Sequence, residues 1–246
     1  MIQIDKDSKE KRNKKYNDWA RTRPAYIFLA IPIVLGVTMG INDYMATKLW
    51  GKALIYLTSI STISAALFFL LKFTLRDISK LYPGKILFCD RLKPTTKLLY
   101  NNDSTYTEEQ KAEIRKKIKS KKNIDLQKYK LKTYRNKKYV KRVDEAVVWL
   151  LDVTRFDDIL FEYNCMYGFW RNLTGALLID ALFVWGLTAV NKWLYTLPFG
   201  NALEWLGGIM ILLIILTTII TYNNGRIFAK KVYDVFMNLD EDKNNY

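Results

Sequence analysis

Histidine is absent from this chain of 246 residues, and cysteine occurs only twice. Histidine is the side chain that most readily changes charge near neutral pH, and it is also the commonest zinc ligand. A hydrolase or metalloenzyme would have to use carboxylates, lysines or tyrosines alone, and the sequence carries no catalytic motif built from them. We therefore expect a protein that is not an enzyme and that binds no metal and no cofactor.

Charge is absent from four long stretches of the sequence. The mean hydropathy of −0.08 resembles that of a soluble protein only because apolar and charged segments are averaged. A helix rises about 1.5 Å per residue and the hydrocarbon core of a bilayer is about 30 Å thick, so about 17–25 apolar residues can span it. Residues 25–41, 53–71, 173–190 and 205–222 meet this requirement, with one aspartate in the third stretch. The sequence predicts a mainly α membrane protein with four transmembrane helices in two hairpins.

The net charge of +15 is concentrated outside these stretches. Eight Lys and Arg residues lie in residues 1–24, twenty-four in residues 72–171 and four after Tyr222. Because Lys and Arg near helix ends stay on the cytoplasmic side, both termini and the region between the second and third spans are predicted to be cytoplasmic. We expect a multi-pass membrane protein. Cys89 and Cys165 would then lie in a reducing compartment, so no disulfide is expected.

The predicted spans divide the chain into five segments. They are a basic N-terminal tail (1–24), the first hairpin (25–72), a basic and mostly helical cytoplasmic domain (73–169), the second hairpin (170–222) and a C-terminal tail (223–246). The N-terminal tail is expected to be disordered at first and to become helical toward Trp19.

Two helices are predicted within the cytoplasmic domain. Thr107 and Gln110 have the spacing of a capping box, which predicts a helix that continues to about Ser120. Apolar residues recur near helical spacing over residues 139–163, and this pattern predicts one long amphipathic helix that feeds the third span. Gly168 is expected to act as a swivel at that junction.

Asp180 lies near the middle of the third apolar stretch. A carboxylate at that depth costs several kcal/mol unless it is paired, hydrated or protonated, and no predicted span contains a cation to pair with it. One interpretation is that Asp180 lines a polar path for protons or cations in an oligomer. The other is that a neutral Asp180 forms hydrogen bonds between helices and holds the bundle together. The hydroxyls that could take part in either arrangement are Thr58, Ser61 and Thr62 in the second span and Thr217, Thr218 and Thr221 in the fourth.

The first span carries a motif for helix association. Gly36 and Gly40 form a G-x-x-x-G pair, which favours close packing of one helix on another. The pair supports a helix–helix interface and does not identify the partner helix. A homo-oligomer is expected from the interpretation of Asp180 as part of a polar path.

The cytoplasmic domain holds an unusually basic region. Residues 111–142 contain fifteen Lys and Arg, with three tyrosines interleaved. Such a region can bind the headgroups of anionic lipids, a nucleotide or nucleic acid, or a protein partner. It can also serve topology alone. The candidate basic surface consists of Arg115, Lys116, Lys119, Lys130, Arg135, Lys138 and Arg142.

A second candidate site lies in the sequence DRLKPTTK. Pro94 at the start of a short helix would leave backbone N–H groups free, and such a helix end suits a phosphate or another anion. The residues that could hold the anion are Arg91, Lys93, Thr95, Thr96 and Lys97. The motif lacks the glycines of a phosphate-cradling loop, so a turn capped by threonine is the alternative.

The number of spans, the compact cytoplasmic domain and the composition rich in Lys, Asn and Ile resemble small multi-span inner-membrane effectors of bacterial antiphage defence systems. This resemblance implies an oligomer that perturbs or permeabilises the membrane when its basic domain engages a ligand or partner. The alternative is a membrane sensor or tether without a pore, which recruits a cytoplasmic protein or nucleic acid.

Overall fold

The computed structural model describes residues 6–47, 74, 77–79, 93–100, 103–126, 137–194 and 200–239. Every regular element among these residues is helical, so the mainly α fold is confirmed. The helices are α1 (Lys6–Asn17), α2 (Arg23–Thr47), α3 (Pro94–Lys97), α4 (Glu108–Lys122), α5 (Lys137–Val153), α6 (Asp158–Leu194) and α7 (Gly200–Asn238). A π-helical turn over Asp18–Thr22 joins α1 to α2.

Three stretches of helix are long and apolar enough to cross a membrane. They are Ser8–Thr38, Asp158–Trp193 and Asn201–Asn238. The last two contain the predicted third and fourth spans, and the first covers the predicted first span as far as Thr38. The predicted second span, with Thr58, Ser61 and Thr62, lies outside the described residues. The membrane-protein class is therefore supported. The second span, and with it the total of four spans, stays a prediction.

The N-terminal segment is helical from Lys6 onward, earlier than the sequence suggested. No non-helical residue separates α1, the π-helical turn and α2, which continues through Pro32. Gly36 and Gly40 both lie in α2. The helix contact expected at this glycine pair stays a prediction.

The single amphipathic helix expected over residues 139–163 is wrong, because the chain breaks between α5 and α6. At the end of α5 the Thr154 hydroxyl donates to the carbonyl of Leu150 at 2.8 Å. At the start of α6 the Asp157 carboxylate accepts from the backbone N–H of Leu160 at 2.6 Å. An aspartate before the first helical residue caps a new helix in this way, so Asp157 starts α6 afresh. The new helix then runs without interruption through Gly168, which is not a swivel.

The chain divides into two units. The first unit comprises Met1–Pro83 and Gly168–Thr221, and the second comprises Gly84–Tyr167 and Tyr222–Tyr246. In the first unit α6 packs on α2 and on α7 through apolar clusters. Its Ala176 meets a cluster on α2, which consists of Ala25, Phe28 and Leu29. Its Leu173, Leu177 and Ala181 surround Met210 of α7.

The second unit has its own apolar core, built from the residues that follow α3, from the segments that flank α4 and from α4 to α7. Residues of α7 within the predicted C-terminal tail contribute to this core. Ala229, Val232, Tyr233 and Phe236 of α7 are all at most 2% exposed. Their spacing places them on one face of α7, and that face packs on the other helices of the unit. The predicted domain boundaries at 73–169 therefore leave out one wall of the core.

The predicted helix after Thr107 is confirmed. Thr107 and Gln110 form both hydrogen bonds of a capping box, and α4 continues two residues beyond Ser120. Asn123 ends the helix with a φ of 57°, in the left-handed region where asparagine is tolerated better than most residues.

Candidate functional site

Asp180 is fully buried in the first unit, with 0% of its surface exposed. Of the four residues one helical turn away on α6, Ala176, Leu177 and Val184 are buried hydrocarbon side chains and Phe183 is an exposed one. Ala176 belongs to the cluster on α2 and Leu177 to the cluster around Met210. The carboxyl group is thus placed at the level where α6 meets both of its described neighbours.

Neither carboxylate oxygen of Asp180 has a hydrogen-bond partner among the residues that the structure describes. A hydrogen bond between helices, one of the two interpretations from the sequence, is therefore not seen in this part of the chain. Thr58, Ser61 and Thr62 could still supply one, since they lie outside the described residues. A buried polar group without a partner costs free energy, and such groups are rare in folded proteins.

The hydroxyls of α7 are placed differently from Asp180. Thr221 is buried and its hydroxyl meets that of Thr174 on α6 at 3.0 Å. Thr217 donates within its own helix, to the carbonyls of Leu213 at 2.8 Å and Ile214 at 3.2 Å. The buried hydroxyl of Thr218 has no partner among the described residues. The Thr174–Thr221 pair therefore joins α6 to α7, whereas Asp180 makes no comparable link to a described helix.

The opposite faces of these two helices are apolar and exposed. Leu182, which follows Asp180 by two residues, is 66% exposed, and Leu212 of α7 is 68% exposed. The other large exposed side chains on this part of α6 and α7 include Phe183, Trp185, Val190, Trp193, Trp205, Ile209, Ile211, Ile215, Leu216 and Ile219. An apolar outside around a buried polar group is the arrangement expected when lipid replaces water as the solvent.

A polar junction in the first unit was not anticipated from the sequence. Asn172 of α6 is buried, and its side-chain amide donates to the backbone carbonyl of Ala20 in the π-helical turn. The Asn172 carbonyl oxygen accepts from the Ser79 hydroxyl at 2.5 Å. In an α-helix the donor for Ala20 would be residue 24, but Pro24 has no N–H. Asn172 therefore gives the Ala20 carbonyl a donor in place of the α-helical one that Pro24 lacks.

Two glycines let this junction close. A Cβ atom on Gly168 would lie 2.8 Å from the Cβ of Ala20, and one on Gly175 would lie 3.0 Å from the Cβ of Ser79. Both positions are closer than side chains normally approach. Gly168 and Gly175 are seven residues apart, so they lie on the same face of α6 two turns apart. This spacing, with Asn172 between the glycines and Pro24 four residues after Ala20, was the available sequence signal.

The structure places the two threonines of the candidate anion site inside the second unit. Thr95 and Thr96 are buried in α3. The Thr96 hydroxyl donates to the Asp144 carboxylate of α5 at 2.9 Å, and the Thr95 carbonyl accepts from the Tyr233 hydroxyl at 2.6 Å. These contacts give both residues a role in packing α3 on α5 and α7. Lys93 is exposed and Lys97 is partly exposed, while Arg91 lies outside the described residues, and anion binding stays a prediction.

The candidate basic surface is only partly a surface. Arg115 is buried in α4, contrary to the prediction, and its guanidinium donates to the carbonyl of Leu99 at 3.1 Å. Arg115 lies on the buried face of α4, and its hydrogen bond to Leu99 joins α4 to the segment that follows α3. Lys116, Lys119 and Arg142 are exposed, and Lys119 pairs with Asp125 at 3.0 Å. Lys138 lies in α5, but its side chain is outside the described set. Lys130 and Arg135 lie outside the described residues altogether.

A tyrosine ties the loop before α4 to α7. The Tyr106 hydroxyl is a donor to two acceptors on α7, the carbonyl of Lys230 at 3.0 Å and the Asp234 carboxylate at 3.1 Å. Burial and, after it, the negative charge of Asp234 raise the pKa of Tyr106 well above its ordinary value. The hydroxyl therefore keeps its proton, and this contact is a structural link between the loop and α7.

No protein family, no curated protein and no solved structure matches the chain. The function must be inferred from the residues themselves.

Proposed function

We propose that this chain is a four-span protein of the bacterial inner membrane, with both termini in the cytoplasm, that acts as an oligomeric effector of the antiphage type. The basic second unit engages a cytoplasmic ligand or partner, and the spans then make the membrane permeable. Binding of anionic lipid by the exposed lysines and arginines holds the second unit close to the bilayer.

The observation that carries this proposal is the buried Asp180. A carboxyl group without a described partner, in an apolar unit whose exterior is also apolar, lowers the stability of a single copy by several kcal/mol. The presence of Asp180 is explained if several copies assemble and water then reaches the face of α6 that carries it. Hydration of the carboxyl group would remove the free-energy cost of its burial. A residue that served packing alone would more simply be another Leu or Ala, like its neighbours on α6.

The second unit supplies what a sensing region needs. Lys116, Lys122, Lys141 and Arg142 are exposed and make no ion pair with any other described residue, so they are available to a ligand. Cations that are free in the resting protein favour an anionic partner, such as a nucleotide, a nucleic acid or an acidic protein surface.

The test is the membrane potential of bacteria that produce the full-length protein, followed with a potential-sensitive dye after induction and after phage infection. We expect the unaltered chain to depolarise the cells and Asp180→Asn to abolish depolarisation while still entering the membrane fraction. Glu204→Gln is the matched control, because it makes the same chemical change at an exposed carboxylate on α7 and should depolarise normally.

Two results would contradict the proposal. If Asp180→Asn depolarised cells as well as the unaltered chain, Asp180 would not belong to the permeation path. If the unaltered chain reached the membrane but never changed the potential under either condition, the sensor or tether without a pore would be the better description.

A further inference from the structure

We propose that Asp180 is a proton-binding site within the bilayer: its carboxyl group holds a proton in the closed protein and releases it when the spans separate, and it binds no metal cation. This inference rests on the membrane-embedded part of the proposed function. It does not require that a pore forms.

Among the residues that the structure describes, the helices that pack beside Asp180 place no opposite charge in the clusters next to it. The clusters beside Asp180 consist of Ala25, Phe28 and Leu29 from α2, and of Met210 with Ile214 from α7. None of these side chains titrates or carries charge. On α6 itself the nearest cations are Arg171, nine residues before Asp180, and Lys192, twelve residues after it, at axial distances of about 13 Å and about 18 Å.

The described residues around Asp180 offer too few ligands for a metal ion. Calcium takes about six to eight oxygen ligands and magnesium needs an octahedral set. Around Asp180 the side chains of Ala176, Leu177, Ala181 and Val184 are hydrocarbon, and helix carbonyls are engaged within the helix. On α7 the Thr217 hydroxyl donates to its own helix, and the buried hydroxyl of Thr218 is the one threonine oxygen there without a partner among the described residues. One carboxyl group and at most one hydroxyl are sufficient for a proton and insufficient for a calcium or magnesium ion.

The free-energy cost of an ionised carboxylate favours the protonated form of Asp180. An ionised carboxylate that is fully buried without a counter-ion or hydrogen bond costs so much free energy that such groups neutralise instead. Protonation removes the charge and leaves a polar group whose cost neighbouring hydroxyls or water can offset. Loss of the proton then becomes favourable only when water reaches the site, so the protonation state of Asp180 reports whether the spans are packed or open.

The experiment uses the full-length protein in native membranes treated with dicyclohexylcarbodiimide, an apolar reagent. A protonated carboxyl group adds across one C=N bond of the reagent, the resulting O-acylisourea rearranges to an N-acylurea, and no atom is lost. We expect the peptide that contains Asp180 to gain the mass of one reagent molecule at neutral pH. This labelling should decline as the pH is raised, and excess Na⁺, K⁺ or Ca²⁺ in place of choline should not reduce it.

Controls separate the site from general reactivity. A water-soluble carbodiimide should label the exposed Glu204 and leave Asp180 unmodified, and Asp180→Asn should lose the adduct from that peptide only. Protection of Asp180 by Na⁺, K⁺ or Ca²⁺ would overturn the inference in favour of a metal site that includes hydroxyls of the second predicted span. The absence of labelling by the apolar reagent at every pH would overturn it too.

The outcome is independent of the membrane-potential assay. Labelling without any depolarisation would retain the proton site and reject the pore. Depolarisation with metal-protected labelling would retain the pore and reject the proton site.

Discussion

At the scale of single residues, the two units treat buried charge in opposite ways. In the second unit Lys111 is 1% exposed, yet its ammonium group donates to the carbonyls of Tyr100 and Asp103 and to the Glu108 carboxylate. Those bonds fasten the loop before α4 to the helix that follows it. In the first unit Asp180 has no such partner among the described residues. A buried charge with partners is a structural device, whereas one without them calls for a functional explanation.

Replacement of Lys111 by Met should therefore be costly. Lys111→Met keeps the aliphatic stem but removes the ammonium donor from the carbonyls of Tyr100 and Asp103, and among the described residues only the Tyr100 carbonyl keeps a second donor, the backbone N–H of Asp103 at 3.1 Å. We expect the second unit to lose about 1–3 kcal/mol of stability. The matched control is Lys116→Met, which is exposed and should change stability by less than about 0.5 kcal/mol. The measurement is amide hydrogen exchange in α4 of the full-length protein in detergent. Equal exchange rates in the two variants would show that the Lys111 hydrogen bonds contribute nothing net.

At the scale of elements, the N-terminal helix is held against α6 by a contact that depends on a backbone defect. Pro24 deprives the Ala20 carbonyl of its helical donor, and Asn172 supplies another. The glycines at 168 and 175 bring the backbone of α6 close enough for that bond. A π-helical turn at the same point is consistent with a junction of this kind, since π-helical turns often occur where a helix accommodates a specific contact.

Loss of this contact should loosen the junction selectively. Asn172→Leu preserves the approximate volume but removes the donor that Asn172 gives the Ala20 carbonyl, at a cost of about 1–3 kcal/mol, or roughly a tenfold to hundredfold increase in local opening. We expect faster hydrogen exchange at the amides of the π-helical turn. Asn223→Leu, an exposed position on α7, is the control and should leave those amides unchanged. Unchanged exchange in Asn172→Leu would mean that glycine packing alone holds the two helices.

At the scale of the whole molecule, neither unit is a continuous stretch of the chain. Each unit is assembled from two separate stretches, and both α6 and α7 contribute residues to both units. The second unit therefore cannot be completed until the last turns of α7 have been added. Its core depends on Val232, Tyr233 and Phe236, which the sequence assigned to a tail.

Truncation should expose this dependence. A chain that ends at Tyr222 keeps every predicted span but loses four core residues, and the loss of one buried aromatic side chain alone costs about 3–5 kcal/mol. Because a domain is stabilised by only about 5–15 kcal/mol in total, we expect α4 and α5 to lose protection against hydrogen exchange. A chain that ends at Leu239 is the control and should remain protected. Full protection in the shorter chain would show that residues 73–169 fold by themselves.

The sequence by itself determined the features that depend on local pattern. Helix formation, three of the membrane-length stretches and the capping box of Thr107 and Gln110 follow from apolar periodicity and from residue types at fixed short spacings. Asp180 stood out for the same reason, because one carboxylate interrupts an apolar run. The break at Asp157 was within reach as well, since an aspartate followed by a new apolar period is a capping signal.

Only the tertiary structure decided which faces meet. Thr95 and Thr96 were expected to face an anion, and Arg115 to face solvent, yet packing of α3, α4 and α5 turned all three into the core. The bond between Asn172 and Ala20 joins residues 152 positions apart, and the contact of Tyr233 with Thr95 spans 138. Such pairs are selected by the free energy of packing whole helices together, which no short window of sequence contains.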